Sequence, residues 1–242
     1  NLADSVGGVL FLVLDHGHIT LVDSMGSDLS VVNAARVSYN KEAQELGSSD
    51  VKLIKYLAKH KHMSPFRQVQ FQFRIKAPEF LMRQFYKHQV GCAWTAHRAF
   101  VDMPWNEVSQ RYVGVSEFDF YLPSALRKQS DDNKQCSTDE HVPDHAGYLR
   151  EAMGGVINHC KYIYTTLLEA GVAKEQARTV LPLSIYTEVV CTMSLEAAVN
   201  FIRLRNHPGA QYEARLYARA MQAIVECVCP VSVEALLEET NK

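Results

Sequence analysis

Val69-Gln70-Phe71-Gln72-Phe73-Arg74-Ile75-Lys76 alternates apolar and polar residues over eight positions. Successive side chains of a strand point to opposite faces, so Val69, Phe71, Phe73 and Ile75 form one apolar face and the stretch reads as a half-buried strand. Upstream, Val9 to Leu14, the turn Asp15-His16-Gly17-His18 and Ile19 to Val22 read as a hairpin. Asp28 or Ser30 is placed to cap a helix through Val31, Ala34 and Ala35. A polar loop over 40–49 precedes Val51, Leu53, Ile54, Tyr56, Leu57 and Ala58, whose spacing is helical, and Pro65 ends that helix.

Downstream, Pro78 suits the first turn of a helix through Phe80, Leu81, Gln84 and Phe85 to Lys87, His88 and Gln89, with Gly91 as its stop. Residues 92–104 show no sustained period and read as an irregular insertion, and 128–145 as a long surface loop. The second half reads as mostly helical: Tyr148 to Glu169, a segment from near Lys174, Leu195 to Arg205, and Ala210 to Cys227 before Pro230. No linker or repeat divides the chain, so one domain over 1–242 is expected.

With 242 residues, 47% hydrophobic and 21% charged, the chain is long enough for a sizeable core. A net charge of -2 supplies no broad basic field, so a small anionic ligand fits better than a nucleic acid polymer. No apolar run reaches the length of a membrane span, and nothing at the start reads as a signal sequence. The six cysteines lack a C-x-x-C pair, which points to a reducing, cytoplasmic setting and to small buried hydrophobes rather than ligands or nucleophiles.

Trp105-Asn106-Glu107-Val108-Ser109-Gln110-Arg111-Tyr112 is too polar for a core segment, so it is either a solvated turn or the surround of a polar ligand such as a nucleotide. Arg205 falls four residues after Phe201, on the same helical face as an apolar side chain. A guanidinium there needs either a carboxylate, with Glu213 the candidate, or a ligand; Arg178 poses the same choice, with Glu175. His62, His88 and His97 do not have the spacing of a metal site, and no glycine-rich phosphate loop is present.

Taken in order, several motifs resemble the flavin-dependent thymidylate synthases. They are Ala34-Ala35-Arg36-Val37-Ser38, His62-Met63-Ser64-Pro65-Phe66, Lys76-Ala77-Pro78 with Arg83-Gln84-Phe85, and Asn106-Glu107-Val108-Ser109-Gln110-Arg111-Tyr112. Gln176-Ala177-Arg178, Asn200-Phe201 with Leu204-Arg205, and Ala210-Gln211-Tyr212-Glu213 complete the set. The resemblance implies an α/β (α+β) domain with an antiparallel-type sheet, assembled as a homotetramer with active sites between subunits. The implied reaction is reductive methylation of dUMP to dTMP with methylene-tetrahydrofolate, FAD and NADPH. It also implies a catalytic Arg205 and dUMP contacts from Gln84, Lys87, Glu107, Val108, Ser109, Gln110, Arg111 and Arg178. FAD contacts are implied at His62, Ser64, Lys87, His88, Gln89, Asn106, Glu107, Ser194 and Asn200.

The chain departs from the family at three places, one of them the insertion over 92–104, where the family has a short connection to the Asn-Glu motif. Lys87-His88-Gln89 stands where the family has Arg-His-Arg, although Ala96-His97-Arg98 offers a second register. The first register is preferred because Lys76 to Gln84 runs into it without a gap; Arg98 or His97 from the insertion then replaces the missing contact. Ser194 and Glu196 stand where the family commonly has asparagine and arginine. These changes keep open a relative with a different carbon 5 product, and a nucleotide-binding relative without catalysis.

Overall fold

The computed structural model describes residues 8–90, 96–97, 100–101, 105–109, 118–143 and 146–238, with 96–97 and 100–101 as backbone. Gln110, Arg111 and Arg98 lie outside the described residues. Strand β1 (Leu10–Val13) turns back into β2 (Gly17–Met25) as the expected antiparallel hairpin. Gly17 is required there, because a Cβ would lie 2.0 Å from the Tyr217 hydroxyl, which donates to the Lys76 carbonyl at 2.6 Å.

Helix α1 (Asp28–Arg36) has its cap one residue before Asp28 and three before Ser30, the two expected caps. Ser27 is the N-cap, and the Ser30 hydroxyl accepts from its N–H at 3.1 Å. Asp28 instead reaches across the fold and accepts from the Val231 and Ser232 N–H groups at 3.0 and 2.9 Å. Helix α2 (Ser48–Lys59) follows, then a 3-10 segment over Ser64–Gln68 and β3 (Gln70–Pro78).

Helix α3 (Glu79–Phe85) is shorter than the expected run to Gln89. Lys87, His88 and Gln89 therefore lie in a turn, where the His88 N–H donates to the Phe85 carbonyl at 2.9 Å. In the insertion, β4 (Ala96–His97) pairs with β5 (Phe100–Val101), so part of it is a small hairpin. The polar motif begins as strand β6 (Trp105–Glu107). The expected long loop contains a second hairpin, β7 (Arg127–Gln129) with β8 (Ser137–His141).

Helices α4 (Ala146–Glu169) and α5 (Lys174–Ala177) precede β9 (Tyr186–Ser194), a strand inside the half expected to be helical. Helices α6 (Leu195–Arg205), α7 (Tyr212–Val228) and α8 (Pro230–Glu238) follow. Pro230 starts α8 as well as closing the region after α7, since a missing N–H costs nothing at a helix start.

The main sheet has the order β1-β2-β3-β9-β6 with antiparallel neighbours throughout. Phe71, Phe73 and Ile75 sit opposite Met193, Cys191 and Val189, and these six are buried. The other face is polar: Gln72 donates to Thr192 at 3.3 Å, and Arg74 pairs with Glu188. Phe85 meets Phe201 and Tyr217 edge-on, with ring centroids 5.1 and 5.6 Å apart, joining α3 to α6 and α7. Cys191 and Cys229 are buried hydrophobes as expected, but Cys136 and Cys160 are half-buried and Cys227 is exposed.

Candidate functional site

Arg205 closes α6, where the negative end of the helix dipole favours a cation. Its Nε donates to His88 Nε2 at 2.9 Å and its Nη1 to Gln84 Oε1 at 3.2 Å. Gln84 is oriented in turn by Gln211, to which its amide donates at 2.6 Å. His88 packs edge-on against Phe201 at 5.0 Å, and burial followed by the Arg205 charge lowers its pKa to about 4. A neutral His88 can accept at Nε2, so both partners of Arg205 are uncharged.

Among the described residues no carboxylate lies within ion-pair distance of Arg205. Glu213, the alternative partner, accepts from the Tyr121 hydroxyl at 3.1 Å instead. The Arg205 charge therefore faces an open cavity of about 1080 Å³ without being neutralised. Gln84, Lys87, Asn206, His207 and Gln211 line the same cavity, as do Asn133 and Gln135 from the β7–β8 hairpin. The last two were not anticipated, because they lie in a polar stretch with no sequence period.

A second cluster forms where β6 and β9 meet the start of α3. Glu107 accepts from the Thr187 hydroxyl at 2.6 Å. Burial and then the Glu107 charge raise Glu79 to about 7, against the opposing influence of Arg83 and Arg178. Burial followed by Glu107 likewise pushes the Tyr86 hydroxyl up. Arg178 is exposed and forms no ion pair with Glu175. Val108 extends the pairing just past β6 through its N–H to the Glu188 carbonyl at 2.9 Å; Asn106 is exposed and Ser109 half-buried.

The third group lies at the other end of β9. His62 is exposed beside Tyr56 and His60, and Ser64 is exposed on the 3-10 segment. Ser194 is buried, and its hydroxyl caps α6 by accepting from the Ala197 N–H at 3.2 Å. Asn200 sits midway along α6 and takes an Arg203 N–H at 3.5 Å; Gln89 belongs instead to the turn beside His88, where it donates to the Tyr86 carbonyl at 3.1 Å. Helix α6, about 16 Å long, thus connects this group to Arg205.

Fold and cavity together define an α/β protein with an antiparallel sheet, in which neutral groups hold the Arg205 guanidinium beside an open cavity. The Thy1 family model, "Thymidylate synthase complementing protein", matches residues 20–231. The flavin-dependent thymidylate synthase of Thermus thermophilus is 40% identical over 237 residues, covering 96% of this chain and 80% of that protein. Its counterpart from Thermotoga neapolitana is 37% identical, covering 95% of both chains. Among solved structures, the UMP/dUMP methylase PolB from Streptomyces cacaoi bound with 5-Br dUMP has a TM-score of 0.76 at 31% identity, covering 94% of this chain and 97% of that one. The chain belongs to the flavin-dependent thymidylate synthase family.

Among the described residues no helix is long and apolar enough to cross a membrane. Nor, among the described residues, do three or more His, Cys, Asp or Glu residues gather in a form suited to a metal ion.

Proposed function

We propose that the chain methylates dUMP reductively to dTMP, with methylene-tetrahydrofolate as carbon donor, FAD as bound cofactor and NADPH as reductant. The reading includes residues 1–242 as one domain, a cytoplasmic homotetramer, and active sites between subunits. The observation that carries it is Arg205, half-buried and fixed by two neutral side chains. Carbon 5 of uracil becomes nucleophilic as negative charge accumulates on the ring, and a preorganised guanidinium stabilises that charge. A carboxylate partner would cancel this effect, whereas neutral His88 and Gln84 fix the group and leave its charge available.

Gln84 and Lys87 line the cavity beside Arg205 and supply polar contacts for the nucleotide. Glu107 is held by Thr187 as an acceptor for a sugar hydroxyl, and exposed Arg178 supplies a phosphate contact. Gln110 and Arg111 are assigned to dUMP by the resemblance alone, and Arg98 to the flavin because His97-Arg98 is a lone basic pair in the apolar insertion and would replace the family's missing arginine. A flavin fits the donor set because polar groups at both ends of α6 are separated by the length of an extended molecule: His62 and Ser64 at one end, His88 and Lys87 at the other. Bound flavin would supply hydride transfer; the chain's residues orient the rings and limit access of water. Exposed Tyr148, Val156 and Tyr162 on α4 support a contact between subunits.

The PolB structures bound with 5-Br dUMP and 5-Br UMP favour a second reading, in which the ribonucleotide is also a substrate. The test is product mass from dUMP and, separately, UMP, omitting the folate, FAD and NADPH one at a time. A product with the mass of dTMP that requires all three supports the first reading. Methylated UMP at a comparable rate supports the second, and no methylated product from either nucleotide rejects both.

A further inference from the structure

Arg67 is the penultimate residue of the 3-10 segment that carries Ser64, and it has no role in the site described above. Its guanidinium pairs with Glu196 through Nε and Nη2, the latter at 3.3 Å. The Glu196 side chain is 8% exposed and that of Arg67 is 53% exposed, so the carboxylate is interior and the guanidinium borders solvent. An interior carboxylate needs such a partner. One guanidinium edge satisfies it, and three of the five N–H groups remain for another acceptor.

The backbone beneath Arg67 is fixed as well. Gln70 donates to its carbonyl at 2.7 Å, and the Leu195 N–H donates to the Val69 carbonyl at 2.9 Å, tying the segment to the start of α6. His62 and Ser64 expose their polar side chains from the same stretch. Asn200 lies along α6 between this cluster and Arg205, a span of about 16 Å. A ligand reaching both ends must be elongated, with an anionic portion suited to a fixed guanidinium fork.

We propose that Arg67, held in place by Glu196, binds the phosphate-bearing tail of the flavin dinucleotide. This rests on the flavin reading above. The pair would explain how Glu196 can occupy the first turn of α6 while the site retains a cation: Arg67 supplies it from the neighbouring segment.

The test is fluorescence titration of the full chain, stripped of flavin, with FAD and with riboflavin, which has no phosphate. Arg67→Gln is expected to weaken FAD at least tenfold, change riboflavin less than twofold, and flatten the salt dependence of FAD binding. Glu196→Gln should weaken FAD by a smaller factor, because Arg67 keeps its charge but loses its anchor. A wild-type FAD-to-riboflavin ratio and salt dependence in Arg67→Gln would overturn the proposal, even if thermal stability falls. Should Arg67→Gln fail to fold, Arg67→Lys is read by the same ratio; a loss of FAD preference supports the role, and an unchanged ratio overturns it. Failure of the wild-type chain to bind FAD would remove the flavin reading and this inference together.

Discussion

Replacing Arg205 by lysine keeps a positive charge but removes its fork. Two contacts are lost, from Nε to His88 at 2.9 Å and from Nη1 to Gln84 at 3.2 Å. A lysine ammonium is a mobile point charge and cannot hold both partners in this geometry. Misplacing one preorganised group that stabilises developing anionic charge costs about 2.7–4 kcal/mol, so kcat should fall about 10²–10³-fold. The half-buried position limits structural damage, and a shift in Tm of only about 2–4 °C is expected for a chain of this size. The assay is single-turnover formation of dTMP at saturating dUMP, alongside thermal denaturation. A rate within threefold of wild type, with stability unchanged, would refute the claim that a fixed guanidinium drives the chemistry.

Neutral His88 should titrate near pH 4 by NMR. Because its folded pKa lies below the ordinary 6.5, its contribution to stability is present above pH 6.5 and lost as pH falls through about 4. His88→Phe should flatten acid unfolding in that window; an unchanged profile would contradict the assignment. Glu79 has the opposite sign: raised from 4.5 to about 7, it favours folding below 4.5 and loses that contribution as pH rises through 7. Glu79→Gln should reduce the decline in denaturant-measured stability between pH 5 and about 8, and an equally steep decline would count against the pairing of half-buried Glu79 with Glu107. Phe73→Ala, which opens a cavity opposite Cys191, should cost about 3–5 kcal/mol in urea unfolding, and a loss below about 1 kcal/mol would contradict the packing.

Strand β3 is readable because one face is polar and alternation survives in the sequence, and the first hairpin because two apolar runs flank the polar turn Asp15-His16-Gly17-His18. Strand β9 is not. It lies between β3 and β6, and Tyr186 and Thr187 are both buried, so its Val189-Val190-Cys191 run carries no clean alternation. The β7–β8 hairpin was hidden for the opposite reason: it is polar along its length, and backbone pairing rather than an apolar face defines it. The end of α3 was overrun because Tyr86 and Lys87 do not break a helix in sequence, although the chain turns there so that His88 can meet Arg205.

Arg205 was visible through its spacing from Phe201, yet its partner was not, since His88 lies 117 residues away. Burial of the His88 ring against Phe201, which lowers its pKa, is likewise a tertiary property. Glu196 stood out as a departure from the family, but its partner Arg67 is 129 residues away in the chain and came only with the fold. Side-chain chemistry is legible when its neighbours are local; these constellations are assembled by the sheet.

The most direct measurement is tritium release from dUMP labelled at carbon 5, with methylene-tetrahydrofolate, FAD and NADPH present and each omitted in turn. The account predicts release by the wild-type chain only when every component is present, and loss of release in Arg205→Ala with flavin still bound. Release that persists without flavin, or at the wild-type rate in Arg205→Ala, would contradict it.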